Sequence, residues 1–179
     1  AVALLVSLSL DGVTFSEPVE FLIYNAKTVQ VSPTGAPAGT ESTVTVTGLG
    51  FATAATANAV CAYSSANETF VVSASIVSST VAECNPPPPE APPAVYALGL
   101  SLNGGYHYAP DEFDNLAYTL YDLEAVLPVS VTPPGGPLTG GTVVTVTGEG
   151  FEDFGAGALG CVLVYDDGSE LFIEADALD

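Results

Sequence analysis

One strand-and-glycine phrase occurs twice in the chain, and this repeat constrains the fold more than any other feature. Residues 43–51 read TVTVTGLGF and residues 142–151 read TVVTVTGEGF, so Gly48, Gly50 and Phe51 return 100 positions later. A repeat of that size indicates an array of similar modules rather than an enzyme built around one cleft. Valines alternate with threonines, which is the period of a half-buried strand. We expect the two glycines to adopt backbone angles denied to other residues, and the phenylalanine to close the end of a sandwich.

The composition favours a folded all-β chain that avoids polyanions. There are 21 acidic residues against a single Lys or Arg, and the formal net charge is −20 at pH 7. Nucleic acid and anionic membrane surfaces are therefore not expected partners. Hydrophobic residues make up 48% of the chain and charged residues 12%, which is too apolar for a disordered acidic tail. The apolar residues are interleaved with Thr and Ser, and frequent Gly and Pro leave no room for long helices.

A second set of repeats lies at the start of the chain. LVSLSLDGVTF (5–15) corresponds to LGLSLNGGYHY (98–108), and VEFLIY (19–24) corresponds to LAYTLY (116–121). A strand followed by Asp-Gly or Asn-Gly predicts a hairpin. The apolar opening AVALLVSLSL has neither a basic segment nor a small-residue cleavage site, so we interpret it as a repeated strand of a longer chain rather than a signal peptide. No apolar run is long enough to span a membrane.

Together the repeats predict a half module, a whole module and a half module. Residues 27–123 form the whole module, with strands near 43–47, 69–77, 95–102 and 116–121 in a two-sheet antiparallel sandwich. Residues 1–26 match only the closing strands of that module, and residues 126–179 match only its opening strands.

The repeated segments resemble the opening of IPT/TIG domains, which are immunoglobulin-like β-sandwiches. VSPTGAPAGTESTVTVTGLGF (31–51) and VTPPGGPLTGGTVVTVTGEGF (131–151) are similar to the Ser-Pro-x-x-Gly-Pro-x-x-Gly-Gly-Thr run, Thr/Val strand and Gly-x-Gly-Phe of that family. IVSSTVAECNPPP (76–88) resembles its middle signature. The resemblance implies tandem immunoglobulin-like modules. Family members serve as receptor ectodomains, surface proteins, accessory modules of polysaccharide-acting enzymes and dimerisation domains, so the fold alone does not choose a function.

The three cysteines follow the repeat. Cys61 and Cys84 fall within the whole module, and Cys161 repeats Cys61 at an offset of 100. A Cys61–Cys84 bridge would close a loop of about 24 residues, contribute roughly 3 kcal/mol in the chain-entropy model and indicate an oxidising compartment. We expect the partner of Cys161 near position 184, 100 residues after Cys84 and outside this chain, or on another molecule.

No pattern predicts catalysis, a cofactor or a metal. His107 is the only histidine, and we interpret it as an exposed hairpin residue, because no G-x-S-x-G elbow or motif-placed nucleophile accompanies it. Three Cys and one His over two modules are too few ligands for zinc. The acidic clusters at 111–114 and Asp166-Asp167 follow no calcium-loop spacing, so we interpret them as solvated surface. The chain is not expected to be an enzyme.

Two features point to covalent glycans. Asn67-Glu68-Thr69 is an N-glycosylation sequon, and NPPPPEAPP (85–93) is a polyproline segment that is either a stiff inter-strand loop or a display of hydroxylated, glycosylated prolines. The candidate acceptors are Asn67, Pro86, Pro87, Pro88 and Pro89.

These observations predict a structural subunit of a secreted or cell-surface filament or stalk. We expect residues 1–26 of one copy to complete the sandwich begun by residues 126–179 of an adjacent copy, either along one polypeptide or by strand donation between subunits. The alternative is an adhesin or receptor ectodomain that binds glycan or protein through exposed loops, with Tyr106, Tyr108 and Phe113 as the aromatic surface.

Overall fold

The fold is all-β, as the sequence predicts. A computed structural model describes residues 1–53, 58–109, 116–155 and 159–175, and these ranges contain fourteen strands, a 3-10 turn at Leu123–Ala125 and no α-helix. The strands are β1 (Val2–Val6), β2 (Val19–Ile23), β3 (Lys27–Ser32), β4 (Gly35–Pro37), β5 (Val44–Leu49), β6 (Val60–Ser64), β7 (Thr69–Ile76), β8 (Val81–Cys84), β9 (Ala94–Ser101), β10 (Ala117–Tyr121), β11 (Leu127–Thr132), β12 (Thr145–Glu149), β13 (Gly160–Val164) and β14 (Glu170–Glu174).

Strands β3 to β10 form one hydrogen-bonded sheet in the order β3-β5-β8-β7-β6-β9-β10-β4. Strand β7 joins the two halves of this sheet, because its first part pairs with β6 and its last part with β8. In a flat sheet β6 and β8 would lie about 10 Å apart, yet the Cα atoms of the disulfide-bonded Cys61 and Cys84 are 5.9 Å apart. The sheet therefore bends over at β7, and we call this sandwich-like unit the central sandwich.

Alternation of side chains supplies the core of the central sandwich. In β5 the valines Val44 and Val46 are fully buried while the intervening threonines are half-exposed. From the facing half, Tyr63, Tyr96 and Tyr118 are buried as well. Each pair of alternating residues thus divides between core and solvent, as the sequence pattern predicts.

The three buried tyrosines keep their hydroxyl groups hydrogen-bonded. Tyr63 donates to the carbonyl oxygen of Asn85 at 3.0 Å, and Tyr96 donates to the carbonyl oxygen of Pro92 at 2.8 Å. The Tyr118 hydroxyl lies 3.3 Å from Oγ of Ser42. Burial raises the pKa of Tyr63, so this phenol stays a neutral donor. The first two bonds hold the proline-rich connection between β8 and β9 at both ends.

The strands predicted near 43–47, 69–77, 95–102 and 116–121 are β5, β7, β9 and β10. The hairpin predicted from the first strand is present, since β1 pairs antiparallel with β2, but residues 7–18 connect the two strands in a loop longer than a two-residue Asp-Gly turn. The Asp11 carboxylate accepts hydrogen bonds from the backbone N–H groups of Val13 and Thr14 at 2.8 Å each and from the Thr14 hydroxyl. These bonds hold the pKa of Asp11 well below its usual range and order a longer loop instead.

The repeated Gly-x-Gly-Phe phrase has two separate physical reasons. Gly50 has φ of 69° and lies against the carbonyl oxygen of Asn25, so a left-handed residue without Cβ is needed there. Gly48 lies in an extended strand, which corrects the expectation of unusual angles for both. A Cβ at Gly48 would meet the ring of Phe51 and the carbonyl oxygen of Lys27. Phe51 is itself buried, as expected.

Replacing Gly48 with Ala should destabilise the central sandwich by about 1–3 kcal/mol, because the added methyl group has to displace a buried ring and a backbone carbonyl. Denaturant unfolding followed by tyrosine fluorescence reports this core, in which three tyrosines are buried. The matched control is Ser75→Ala at an exposed position of β7, which should change the free energy of unfolding by less than about 0.5 kcal/mol. Equal stability of the two variants would contradict the steric account.

Candidate assembly surfaces

The hairpin of β11 and β12 repeats the pairing of β3 and β5. Val31 lies opposite Val46 in the central sandwich, and Val131 lies opposite Val146 in the outer pair. Both ladders contain a register shift at the same place, between Thr28 and Gln30 and between their counterparts 100 residues later. The repeat in the sequence is therefore a repeat of backbone pairing.

The other two hairpins also repeat pairings of the central sandwich. Strands β13 and β14 pair as β6 and β7 do, with one extra residue in the connecting turn. Strands β1 and β2 pair as β9 and β10 do: when Leu10-Asp11-Gly12 is aligned with Leu102-Asn103-Gly104, Leu5 opposite Glu20 corresponds to Ala97 opposite Ala117. The loop after β1 repeats as well: the Ser9 hydroxyl donates to Asp11 at 3.1 Å.

The side chains that correspond to the core are exposed in these hairpins. Tyr118 in β10 is fully buried, whereas its counterpart Phe21 in β2 is 58% exposed. Val44 in β5 is fully buried, whereas its counterpart Val144 is 49% exposed. The outer hairpins thus have the local structure of the central sandwich without the packing partners that bury these side chains there.

Two apolar surfaces result. The closing face consists of Leu4, Val6, Leu8, Val19, Phe21 and Ile23, which correspond to core residues of β9, β10 and the residue before β10. The opening face consists of Val131, Val144, Val146, Cys161, Leu163, Leu171 and Ile173, which correspond to apolar residues of β3, β5, β6 and β7.

Carboxylates of these hairpins occupy the opposite side from the two faces. Glu20 in β2 lies between Val19 and Phe21, so its side chain alternates onto the other surface. Glu170 and Glu174 alternate in the same way with the face residues of β14. Burying the faces would therefore bury none of these charges.

Each hairpin also has a strand edge without a hydrogen-bonded neighbour among the described residues. Strand β6 pairs with both β7 and β9, whereas β13 pairs with β14 alone. Strand β9 pairs with β6 and β10, whereas β1 pairs with β2 alone. In the central sandwich β6 and β9 pair with each other. The corresponding edges of β13 and β1 have no hydrogen-bonded neighbour among the described residues.

The back of each closing hairpin contacts the segment that follows it. Leu22 and Tyr24 pack against the core of the central sandwich. Tyr121, the counterpart of Tyr24, stacks on Phe154 with ring centroids 5.0 Å apart and an interplanar angle of 5°. The backbone N–H of Thr34 donates to the carbonyl oxygen of Phe154 at 2.8 Å. Sequence reasoning missed this contact, because position 54, the counterpart of Phe154, is alanine.

The structure joins Cys61 to Cys84 and leaves Cys161 as an exposed free thiol. Asn67 is exposed in the turn between β6 and β7. Of the four candidate prolines at 86–89, only Pro89 is exposed. Pro87 is buried and Pro86 and Pro88 are half-buried. Hydrogen bonds from Tyr63 and Tyr96 hold the two ends of the tract.

Other candidate residues do not assemble into a chemical site. No group of three or more His, Cys, Asp or Glu in the described ranges could hold a metal ion. Asp167 accepts hydrogen bonds from Ser169, which lower its pKa and shape the β13–β14 turn. His107 is exposed. The acidic cluster at 111–114 and Phe113, which lies within it, are outside the described residues.

The aromatic loop surface proposed for an adhesin is only partly present in the described residues. Tyr106 is 86% exposed and Tyr108 is 43% exposed, with one side of the Tyr108 ring against Gly99 of β9. Across the described parts of the chain, no helix has the length and apolar character needed to cross a membrane.

Comparisons with protein-family models, curated proteins and solved structures each find no match for this chain. The IPT/TIG resemblance therefore stays a prediction that rests on the repeated motifs, and the assignment of function rests on the geometry of the two faces.

Secreted from a eukaryotic cell, the chain should carry a glycan on Asn67, because the sequon lies in an exposed turn. Peptide mass mapping should show the added mass, which Thr69→Ala should abolish and Thr69→Ser should retain. Any hydroxyproline-linked mass should fall on Pro89 rather than on buried Pro87. A wild-type mass equal to that of the bare chain would rule the glycans out.

Proposed function

We propose that this chain is the structural subunit of an extracellular filament or stalk built head to tail from immunoglobulin-like modules. The closing face of one copy packs on the opening face of the next and completes a sandwich like the central one. The observation that carries this proposal is that the two apolar faces correspond, residue by residue, to two sets of strands that share one core in the central sandwich, β3 and β5 to β7 in one set and β9 and β10 in the other.

Hydrophobic burial supplies the driving force. Transfer of a large apolar side chain from water into a core stabilises by about 1.5–3 kcal/mol, and each face presents six or seven apolar side chains. Left in water, the faces and their open strand edges would promote nonspecific aggregation. A specific partner with the missing half of the core removes that hazard.

The two faces are different surfaces of the chain, so the contact between copies is heterologous. A copy that offers its closing face to one neighbour still presents its opening face to another. Such a contact forms a ring only where the rotation between copies closes, and otherwise extends into a linear or helical assembly, which is the arrangement we propose. The partner is therefore a second copy of this chain at each end.

Other features agree with a structural role outside the cell. The Cys61–Cys84 disulfide is typical of an oxidising compartment. The back of β2 packs against the central sandwich and Tyr121 stacks on Phe154, and repetition of such contacts would stiffen successive modules against one another. The acidic surface keeps a chain of this apolar content soluble.

Substitution of Phe21 by Asp should abolish assembly, because a carboxylate would then occupy the core of the composite sandwich. The wild-type chain should show a mass by light scattering that rises with concentration above 18.1 kDa, and Phe21→Asp should stay at the monomer mass. Since Phe21 is exposed in the single chain, unfolding of the central sandwich should be unchanged.

The matched control is Val71→Asp, which places the same charge at a valine that is 56% exposed in the central sandwich and outside both faces. This variant should assemble as the wild type does. A wild-type chain that remains monomeric at all concentrations would contradict the proposed function, as would equal effects of the two substitutions.

A further inference from the structure

The central sandwich shows how closing strands join opening strands. Strand β9 runs antiparallel to β6, with Leu100 opposite Cys61 and Leu98 opposite Tyr63. Strand β10 runs parallel to β4, with Thr119 opposite Gly35. These two ladders, together with the core between them, connect the two parts of the sandwich.

We infer that, in an assembly of the proposed kind, a second copy adds residues 5–9, the end of β1 and the three residues after it, antiparallel to β13, and adds β2 parallel to residues 135–137, in one defined register. The inference rests on the proposed function and specifies the site at which it acts. The paired residues of the first ladder, neighbour first, are Ser9 with Gly160, Leu8 with Cys161, Ser7 with Val162, Val6 with Leu163 and Leu5 with Val164.

The register between β13 and the neighbour's strand follows from two hairpin pairings. Each of these pairings in the outer hairpins is the same as its counterpart in the central sandwich. Strand β13 keeps the register of β6 toward its hairpin partner, and β1 keeps the register of β9 toward its own. A slip by one residue would turn Leu8 and Val6 away from the core and place Ser7 inside it. Apolar burial therefore selects this register over its neighbours.

The second ladder is supported by a segment that forms a strand in the central sandwich, where its partner is present, and belongs to no strand in its second copy. Residues 35–37 form β4 beside β10. Residues 135–137 carry a similar sequence, Gly-Gly-Pro against Gly-Ala-Pro, but belong to no strand in the single chain. Because β4 pairs only with β10 among the described residues, arrival of β2 from a neighbour is the missing condition for the second segment.

Gly135 gives independent support. A Cβ at Gly35 would meet the ring of Phe154 and the carbonyl oxygen of Thr119 across the parallel ladder. At Gly135 a Cβ would meet nothing within 4 Å, and its φ is outside the left-handed region. Nothing among the described residues requires glycine there. Close approach of Leu22 from a neighbouring β2, as the counterpart of Thr119, would require it.

The free thiol of Cys161 makes the register measurable in the full chain. Residues opposite each other on one face of an antiparallel pair have Cβ atoms about 4.5–5.5 Å apart, close enough for a disulfide after small adjustment. A Leu8→Cys, Cys161→Ser variant mixed with wild-type chain should give a disulfide-linked dimer on a non-reducing gel under mild oxidation. The control is Ser7→Cys, Cys161→Ser, whose thiol lies one position away and on the other side of the strand.

We expect dimer from the position-8 variant at least tenfold above that from the position-7 variant. Gly135→Val should also reduce the mass of the assembly without changing unfolding of the central sandwich. Assembly by light scattering with no cross-link at position 8, or with equal cross-linking at both positions, would overturn the register while leaving the proposed function in place. Absence of assembly in every mixture would overturn both.

Discussion

Burial of one half of a β-sandwich core against the other is the interaction on which the whole structure depends. In the central sandwich the valines of β5 are covered by side chains of β9 and β10, and a disulfide ties β6 to β8 across the bend at β7. The outer hairpins have the same backbone registers without that cover. Local pairing is therefore independent of the core, but the apolar faces that the pairing creates still require a partner.

The negative charge of the chain does not prevent the proposed contact between copies. A chain with a formal charge of −20 repels other copies of itself at long range. Charges more than about 8 Å apart are largely screened at physiological ionic strength, so short-range apolar contact can dominate once two faces meet. Because carboxylates such as Glu20 and Glu170 alternate away from the faces, contact does not bury them.

Much of the fold could be predicted from alternation and repetition. The Val-Thr alternation of β5 and its copy located two strands, and the 100-residue offset related their hairpins. Features that depend on contacts distant in sequence could not be predicted. Burial of Pro87 and the stacking of Phe154 on Tyr121 are of this kind. The long β1–β2 loop was missed because Asp11 accepts backbone hydrogen bonds that compete with a tight turn. Of the candidate surfaces, the sequence predicted two half sandwiches, but only the structure shows that β1 and β13 each have one edge without a hydrogen-bonded neighbour among the described residues.

The most direct test of this account is a structure of the assembled material by electron cryomicroscopy. The account predicts filaments in which β1 of each copy lies antiparallel to β13 of the next, with Phe21 and Val144 buried in one composite core. Residues 1–26 packed on residues 126–179 of the same chain, or both faces still exposed to solvent in the assembled state, would contradict it.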